Sequence, residues 1–129
     1  MRSVQLCLMA GGLFGGTAVA AGAFASHWLR DRLDDRALQI FETGARYQMY
    51  HALALVLVAL LLRQMGGSVA TLTTAALAFG VGNVLFSGSL YALALTGIKI
   101  LGAIAPLGGL AHLVGWGCIA LTAWNLEKL

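Results

Sequence analysis

The stretch FETGARYQMYHALAL, residues 41–55, carries a carboxylate, a guanidinium, two phenols and an imidazole into the edge of an uncharged run. Glu42 and Arg46 stand four residues apart, as do Tyr47 and His51, and on a helix each pair shares a face. The chemistry open to such groups is proton transfer beside a cation. Helical geometry argues against it here. At about 100° per residue, His51 lies about 140° from Arg46 and about 180° from Glu42, so one straight helix cannot turn all three into one pocket. Arg46, Tyr47 and Tyr50 are residue types that hold a helix at headgroup depth. Glu42 and Arg46 are therefore expected to form a structural clamp where the chain meets the membrane, in the favourable order with the acid N-terminal.

A second group lies further along. Gly80, Asn83, Ser87 and Tyr91 fall within an arc of about 80° on a helix, a seam that must face protein or water rather than lipid. Interhelical hydrogen bonds worth roughly 0.6–2 kcal/mol each account for such a seam; a path for a solute is the sharper alternative. In GAIAPLGGLAHLVGWG, Pro106 cannot donate to the carbonyl of Gly102, and Gly108 and Gly109 follow it. A broken helix of this kind exposes backbone groups in several transporters, although proline kinks are ordinary in membrane helices. His112 lies roughly 18–20 Å in from Lys99, and an intramembrane histidine is a functional-site hypothesis by default. Its structural alternative is a neutral ring bonded to a neighbouring helix.

Histidines also raise the question of haem or a metal. His51 is only about 7 Å in from Arg46, and His112 is far deeper from the same side, so this pair is not expected to share an iron. His27 and His51 have compatible depths, but no cysteine or carboxylate spacing completes a ligand set. Cys7 and Cys118 lack CxxC spacing and are expected to be inert thiols in apolar helices. No cofactor and no metal is expected.

The elements that position these groups are set by composition. Hydrophobic residues make up 60% of the 129 and charged residues 10%, against about 45–50% and about 25% in soluble domains. The class is integral membrane. The net charge of +3 does not suggest nucleic acid, because four of the five acids interleave with arginine in RDRLDDRALQIFE. Charges leave four uncharged runs, 3–29, 47–62, 64–98 and 100–126, and about 20 residues cross the hydrocarbon. The spacing predicts a single all-α domain over 1–129, a four-transmembrane-helix bundle with helices near 4–26, 46–63, 69–95 and 100–124. The second run is short, but Arg46 and Arg63 flank it and can snorkel outward.

Tight turns at RQMGGS and LTGIK make the second, third and fourth helices antiparallel neighbours. The longer first connection has Leu33, Ala37, Ile40, Phe41 and Ala45 at helical spacing behind Asp34 and Asp35. It reads as an amphipathic interfacial segment over about 33–45, with continuity into the second helix left open and Gly44 as a candidate kink. The first 26 residues also resemble a signal peptide, with Ala23-Phe24-Ala25 as the A-x-A pattern. The apolar run exceeds the usual 7–15 residues, and its glycines suit a retained helix. Gly11/Gly15 and Gly12/Gly16 are GxxxG steps that let helices approach closely. Arg30, Arg32, Arg36, Arg46 and Lys99 share one side of the membrane, and Arg2, Arg63 and Lys128 the other. That asymmetry puts the long connection in the cytoplasm and both termini outside.

Taken together, GAFASH at the end of the first helix, FETGARYQMYHALAL, FSGSLYALALTG and APLGGLAHLVGW resemble blocks of the small inner-membrane family known as domain of unknown function 423, whose animal relatives are called transmembrane protein 256. Ala25 and Ser26 depart from that family's Gly-Ala-Phe-Gly-Ala-His block, and Ala105 stands where many bacterial members have Thr. The resemblance implies a four-helix protein of the bacterial inner membrane and implies no activity. The function expected from the residues is non-enzymatic, an accessory or assembly role exercised through helix–helix contacts with membrane lipid, a second copy or other membrane proteins. The alternative is a small-solute, proton or lipid conduit lined by Asn83, Ser87, Pro106 and His112; haem or redox binding comes last.

Overall fold

The computed structural model describes residues 1–126, and four helices in it are long and apolar enough to cross a membrane. They are α1 (Arg2–His27), α2 (Asp35–Gln64), α3 (Ala70–Thr96) and α4 (Leu101–Asn125). Lys128, which enters the charge count, lies outside the described residues.

The connection between α1 and α2 is shorter than its composition suggests. A 3₁₀ turn over Leu29–Asp31 follows α1, and Leu29 is buried with Ala25, Phe41 and Ala94. The Arg32 guanidinium lies 3.9 Å over the Trp28 ring and donates to the Trp28 carbonyl. Asp34 then adopts an extended backbone and its carboxylate accepts from the Ala37 N–H at 2.7 Å, an N-cap that starts α2. From there the helix runs unbroken for 30 residues. The amphipathic segment expected over 33–45, whose continuity with the second helix the sequence leaves open, is thus the first part of α2 from Asp35 on, and the helix continues through Gly44. The glycine serves close packing instead: a Cβ at Gly44 would stand 2.9 Å from Cε1 of Tyr91.

The two tight turns use glycine for its backbone freedom. Gly66 and Gly67 both have φ near +83°, and Gly97 ends α3 in the left-handed region while its N–H bonds the Leu93 carbonyl.

Half of the most apolar stretch of α2 is buried, against 17% for α1 and 22% for α4, so α2 is the central post of the bundle. Lipid is as apolar as leucine, so cohesion here comes from close packing and interhelical bonds more than from hydrophobic transfer. Gly11 illustrates it: a Cβ there would be 2.8 Å from Cγ2 of Val56 and 3.1 Å from the Ala52 carbonyl. Gly15 faces Ala52 more loosely at 3.8 Å, whereas Gly12 and Gly16 have nothing within 4 Å. One GxxxG step therefore packs on α2 and the other looks outward. Apolar clusters occupy both ends of the bundle, one around Val58, Leu62, Leu72 and Phe79, the other around Ala25, Leu29 and Phe41. Between them lies a polar belt.

Candidate functional site

Gln48, His51, Asn83, Ser87 and His112 are each at least nine-tenths buried, and they form that belt. Its hub is Gln48, a residue the sequence does not advertise beyond being an amide inside an apolar run. Its Nε2 donates to the Phe14 carbonyl at 2.8 Å and to Thr17 Oγ1 at 2.7 Å, while its Oε1 accepts from the Tyr91 hydroxyl at 2.7 Å. Asn83 Nδ2 donates to the Gln48 carbonyl at 3.3 Å, and Ser87 Oγ to the Gly44 carbonyl at 2.7 Å. In low dielectric each unmade bond would be costly, so the belt ties α1, α2 and α3 at fixed heights.

The backbone of α3 is adapted to this. Asn83–Ser87 form a π-helical turn within the helix. Such a bulge shifts the register of the side chains that follow, and such turns are frequent at functional sites. With it, Asn83, Ser87 and Tyr91 all reach α2. Gly80, which shares their arc in the sequence, has nothing within 4 Å of a Cβ position and takes no part.

The histidines meet, against expectation. The rings of His51 and His112 stack with centroids 3.5 Å apart and planes 2° from parallel. The depth estimate failed because it treated Arg46 as the membrane surface. Helix α2 begins eleven positions earlier, at Asp35, so His51 sits near mid-bundle. Trp116 Nε1–H can only donate, and it points at His51 Nε2 at 3.1 Å; Nδ1 therefore carries the ring proton toward the Tyr47 carbonyl at 2.7 Å. Both nitrogens of His51 are thus in use, leaving no lone pair for a metal. Face-to-face rings also cannot place two nitrogens on opposite sides of one iron. Among the described residues no three His, Cys, Asp or Glu side chains gather as a metal site.

Phe79 and Trp116 enclose the pair, with ring centroids 5.5 and 6.0 Å from His51. Space for the His112 ring comes from Gly82, and Gly108 lets α4 approach the backbone of Phe86. Two buried atoms of the belt, His112 Nε2 and Asn83 Oδ1, have no hydrogen-bond partner among the described residues.

The remaining candidates lie elsewhere. Pro106 is exposed on an unbroken α4, so it neither breaks the helix nor lines the belt. Ser87 is committed to Gly44. A conduit lined by Asn83, Ser87, Pro106 and His112 thereby loses two of its members. His27 is exposed in the last turn of α1. Glu42 and Arg46 do not form an ion pair among the described residues, against the expected clamp; with Tyr50 they line a groove against α1, about 440 Å³ in volume. Tyr47 packs edgewise on Tyr50 and against Phe86. As the angular estimate required, His51 faces α4 while Glu42 and Arg46 face α1.

Comparison with known proteins gives a consistent set. The family described as protein of unknown function (DUF423) matches residues 21–109. The UPF0382 membrane protein YwdK of Bacillus subtilis is 48% identical over 106 residues, covering 82% of this chain and 85% of that one. A UPF0382 membrane protein of Haemophilus influenzae is 39% identical over 130 residues and covers 100% of both chains. One from Staphylococcus haemolyticus is 40% identical over 122 residues, covering 95% and 98%. No solved structure matches.

Proposed function

We propose that this chain, which belongs to the DUF423 family, is an accessory protein of the bacterial inner membrane that catalyses no reaction and works through helix–helix contacts with a second copy or another membrane protein. The observation that carries this reading is where the polar groups go. Gln48, Ser87 and Tyr91 spend their bonds inside the bundle, which favours a closed scaffold over an open path. The outward glycines of α1, Gly12 and Gly16, leave a close-approach face free. Co-purification from native membranes tests it: a defined partner or second copy should be retained by the parent and lost in Gly16→Leu. Gly117→Leu, which alters an equally open position on α4, should retain it. A lone monomer in every preparation would end the reading.

A second reading has its own observation, the unpartnered His112 Nε2 and Asn83 Oδ1 in the middle of the bundle. A proton or small-solute conduit would use such atoms in passing. Flux into proteoliposomes that disappears in Asn83→Ala would favour it over the scaffold. The charge asymmetry supports a cytoplasmic first connection and external termini. Reporters fused at the C-terminus, one active only in the cytoplasm and one only outside, decide the orientation.

A further inference from the structure

We propose that His51, His112 and Trp116 form a proton-operated latch between α2 and α4, closed while both imidazoles are neutral and released when His112 takes up a proton.

The latch stands where α2 and α4 meet. Helix α4 lies close along α3, with Gly82 and Gly108 at the contact, whereas α2 and α4 have little close backbone contact. Among the described residues one hydrogen bond joins α2 to α4, from Trp116 Nε1–H to His51 Nε2 at 3.1 Å. Beside it the rings of His51 and His112 stack at 3.5 Å and 2° from parallel. His112 and Trp116 are four residues apart on α4, so they share one face of the helix and leave α2 together.

The proton goes to His112. His51 already uses Nδ1 toward the Tyr47 carbonyl and Nε2 toward Trp116, so a further proton there would set two donors face to face. His112 Nε2 is buried with no partner among the described residues, and protonating that ring gives up no such bond.

Once there, the charge has nothing to balance it. The rings packed on the pair are Tyr47 of α2, Phe79 and Phe86 of α3 and Trp116 of α4. The Tyr47 phenol is the only further titratable group among them, and none is a carboxylate. Glu42 and Arg46 line the α1 side of α2. Tyr91 of α3 is bonded to Gln48, and Cys7 of α1 and Cys118 of α4 belong to the apolar cluster around Val58. Arg2 and His27 lie at the two ends of α1. Aromatic faces attract a cation, but less than an unpaired buried ion costs. An imidazolium lying flat on His51 is relieved by distance, which moves α4 off α2. Helix α3 keeps its place on α2 through Asn83, Ser87 and Tyr91.

The latch needs neither a partner nor a flux, so it stands or falls apart from the function proposed above. The test is electron-spin distance measurement on the purified full chain with Cys7 and Cys118 replaced by Ala. Label pairs go on exposed positions, Leu53 of α2 with Leu113 of α4, and Leu53 with Leu77 of α3. Between pH 8 and pH 5, across the ordinary histidine value of about 6.5, the Leu53–Leu113 distance should lengthen and the Leu53–Leu77 distance should hold. His112→Phe keeps a flat ring against His51 but takes no proton, and should abolish the change; His112→Gln serves the same purpose if the Phe variant does not fold. His27→Ala, at an exposed histidine, should respond as the parent does. A Leu53–Leu113 distance independent of pH would overturn the proposal. So would a change that survives loss of His112, one lost with His27, or one accompanied by loss of helix in circular dichroism.

Discussion

Gly82 holds the space that His112 occupies: a Cβ at Gly82 would overlap the edge of the imidazole, 2.7 Å from Nε2, and would stand 3.0 Å from the Gly108 carbonyl. The two helices therefore meet through a glycine on α3 and a glycine on α4, with a histidine filling what the glycines leave. Packing and polarity at the belt are consequently one problem. The ring that stacks on His51 has its place because Gly82 carries no side chain.

Gly82→Ala and Gly108→Ala should each destabilise the protein by about 1–3 kcal/mol, the range for overpacking a well-filled interior. Gly108→Ala should be the worse, since its Cβ would meet the backbone of Phe86, which cannot rotate away. Gly117→Ala, with nothing within 4 Å, should be neutral or stabilising by up to about 1 kcal/mol through helix propensity. Thermal unfolding in detergent reads all three. Equal effects at the three positions would mean α3 and α4 do not meet as described.

Gln48 and Tyr91 should be energetically coupled through their 2.7 Å bond. Gln48→Leu and Tyr91→Phe each lose it, so the double variant should fall short of the sum by about 0.6–1.7 kcal/mol, the range for interhelical bonds in membranes. A double-mutant cycle by chemical unfolding in detergent measures this. Additive losses would show that the bond contributes nothing.

Glu42→Ala and Arg46→Ala should be additive in delipidated detergent, because the two side chains do not pair in the bundle. The i, i+4 spacing by itself predicts coupling. The same cycle, read by Tm, separates the two expectations, and a double variant clearly milder than the sum would restore the clamp.

Pro106→Ala should leave the fold intact and raise stability, because the ring is exposed on a helix that stays continuous around it. Alanine restores the missing N–H toward Gly102 and removes the proline penalty, about 3 kcal/mol in an exposed helix. A fall in Tm, or a change in helix content by circular dichroism, would mean the proline shapes a bend that the bundle depends on.

The four spans are legible in the sequence because run length is a direct consequence of bilayer thickness. Asp34 and Asp35 likewise mark the start of α2, since a capping carboxylate acts within its own first turn. What was hidden depends on partners distant in sequence. Gly44 looks like a kink until Tyr91 is seen against it, and Pro106 looks like a break although α4 runs through it. Thr17, off the stripe of Gly11 and Gly15, accepts a bond from Gln48. The His51–His112 contact was concealed by a wrong reference level, since arginine need not mark the membrane surface when its side chain can snorkel. The π turn of α3 has no signal in local propensity and exists because α2 supplies acceptors at that height.

The belt has a consequence for how the molecule can move. Its closest helix pairings are α1 with α2 and α3 with α4, two successive hairpins joined through the turn at Gly66 and Gly67. Methyl surfaces alone would let one hairpin slide past the other along the membrane normal. The bonds from Asn83, Ser87 and Tyr91 to the backbone and side chain of α2 work as an index instead, correct at one axial position and broken a turn away. Piston motion between the halves would therefore have to break all three bonds at once.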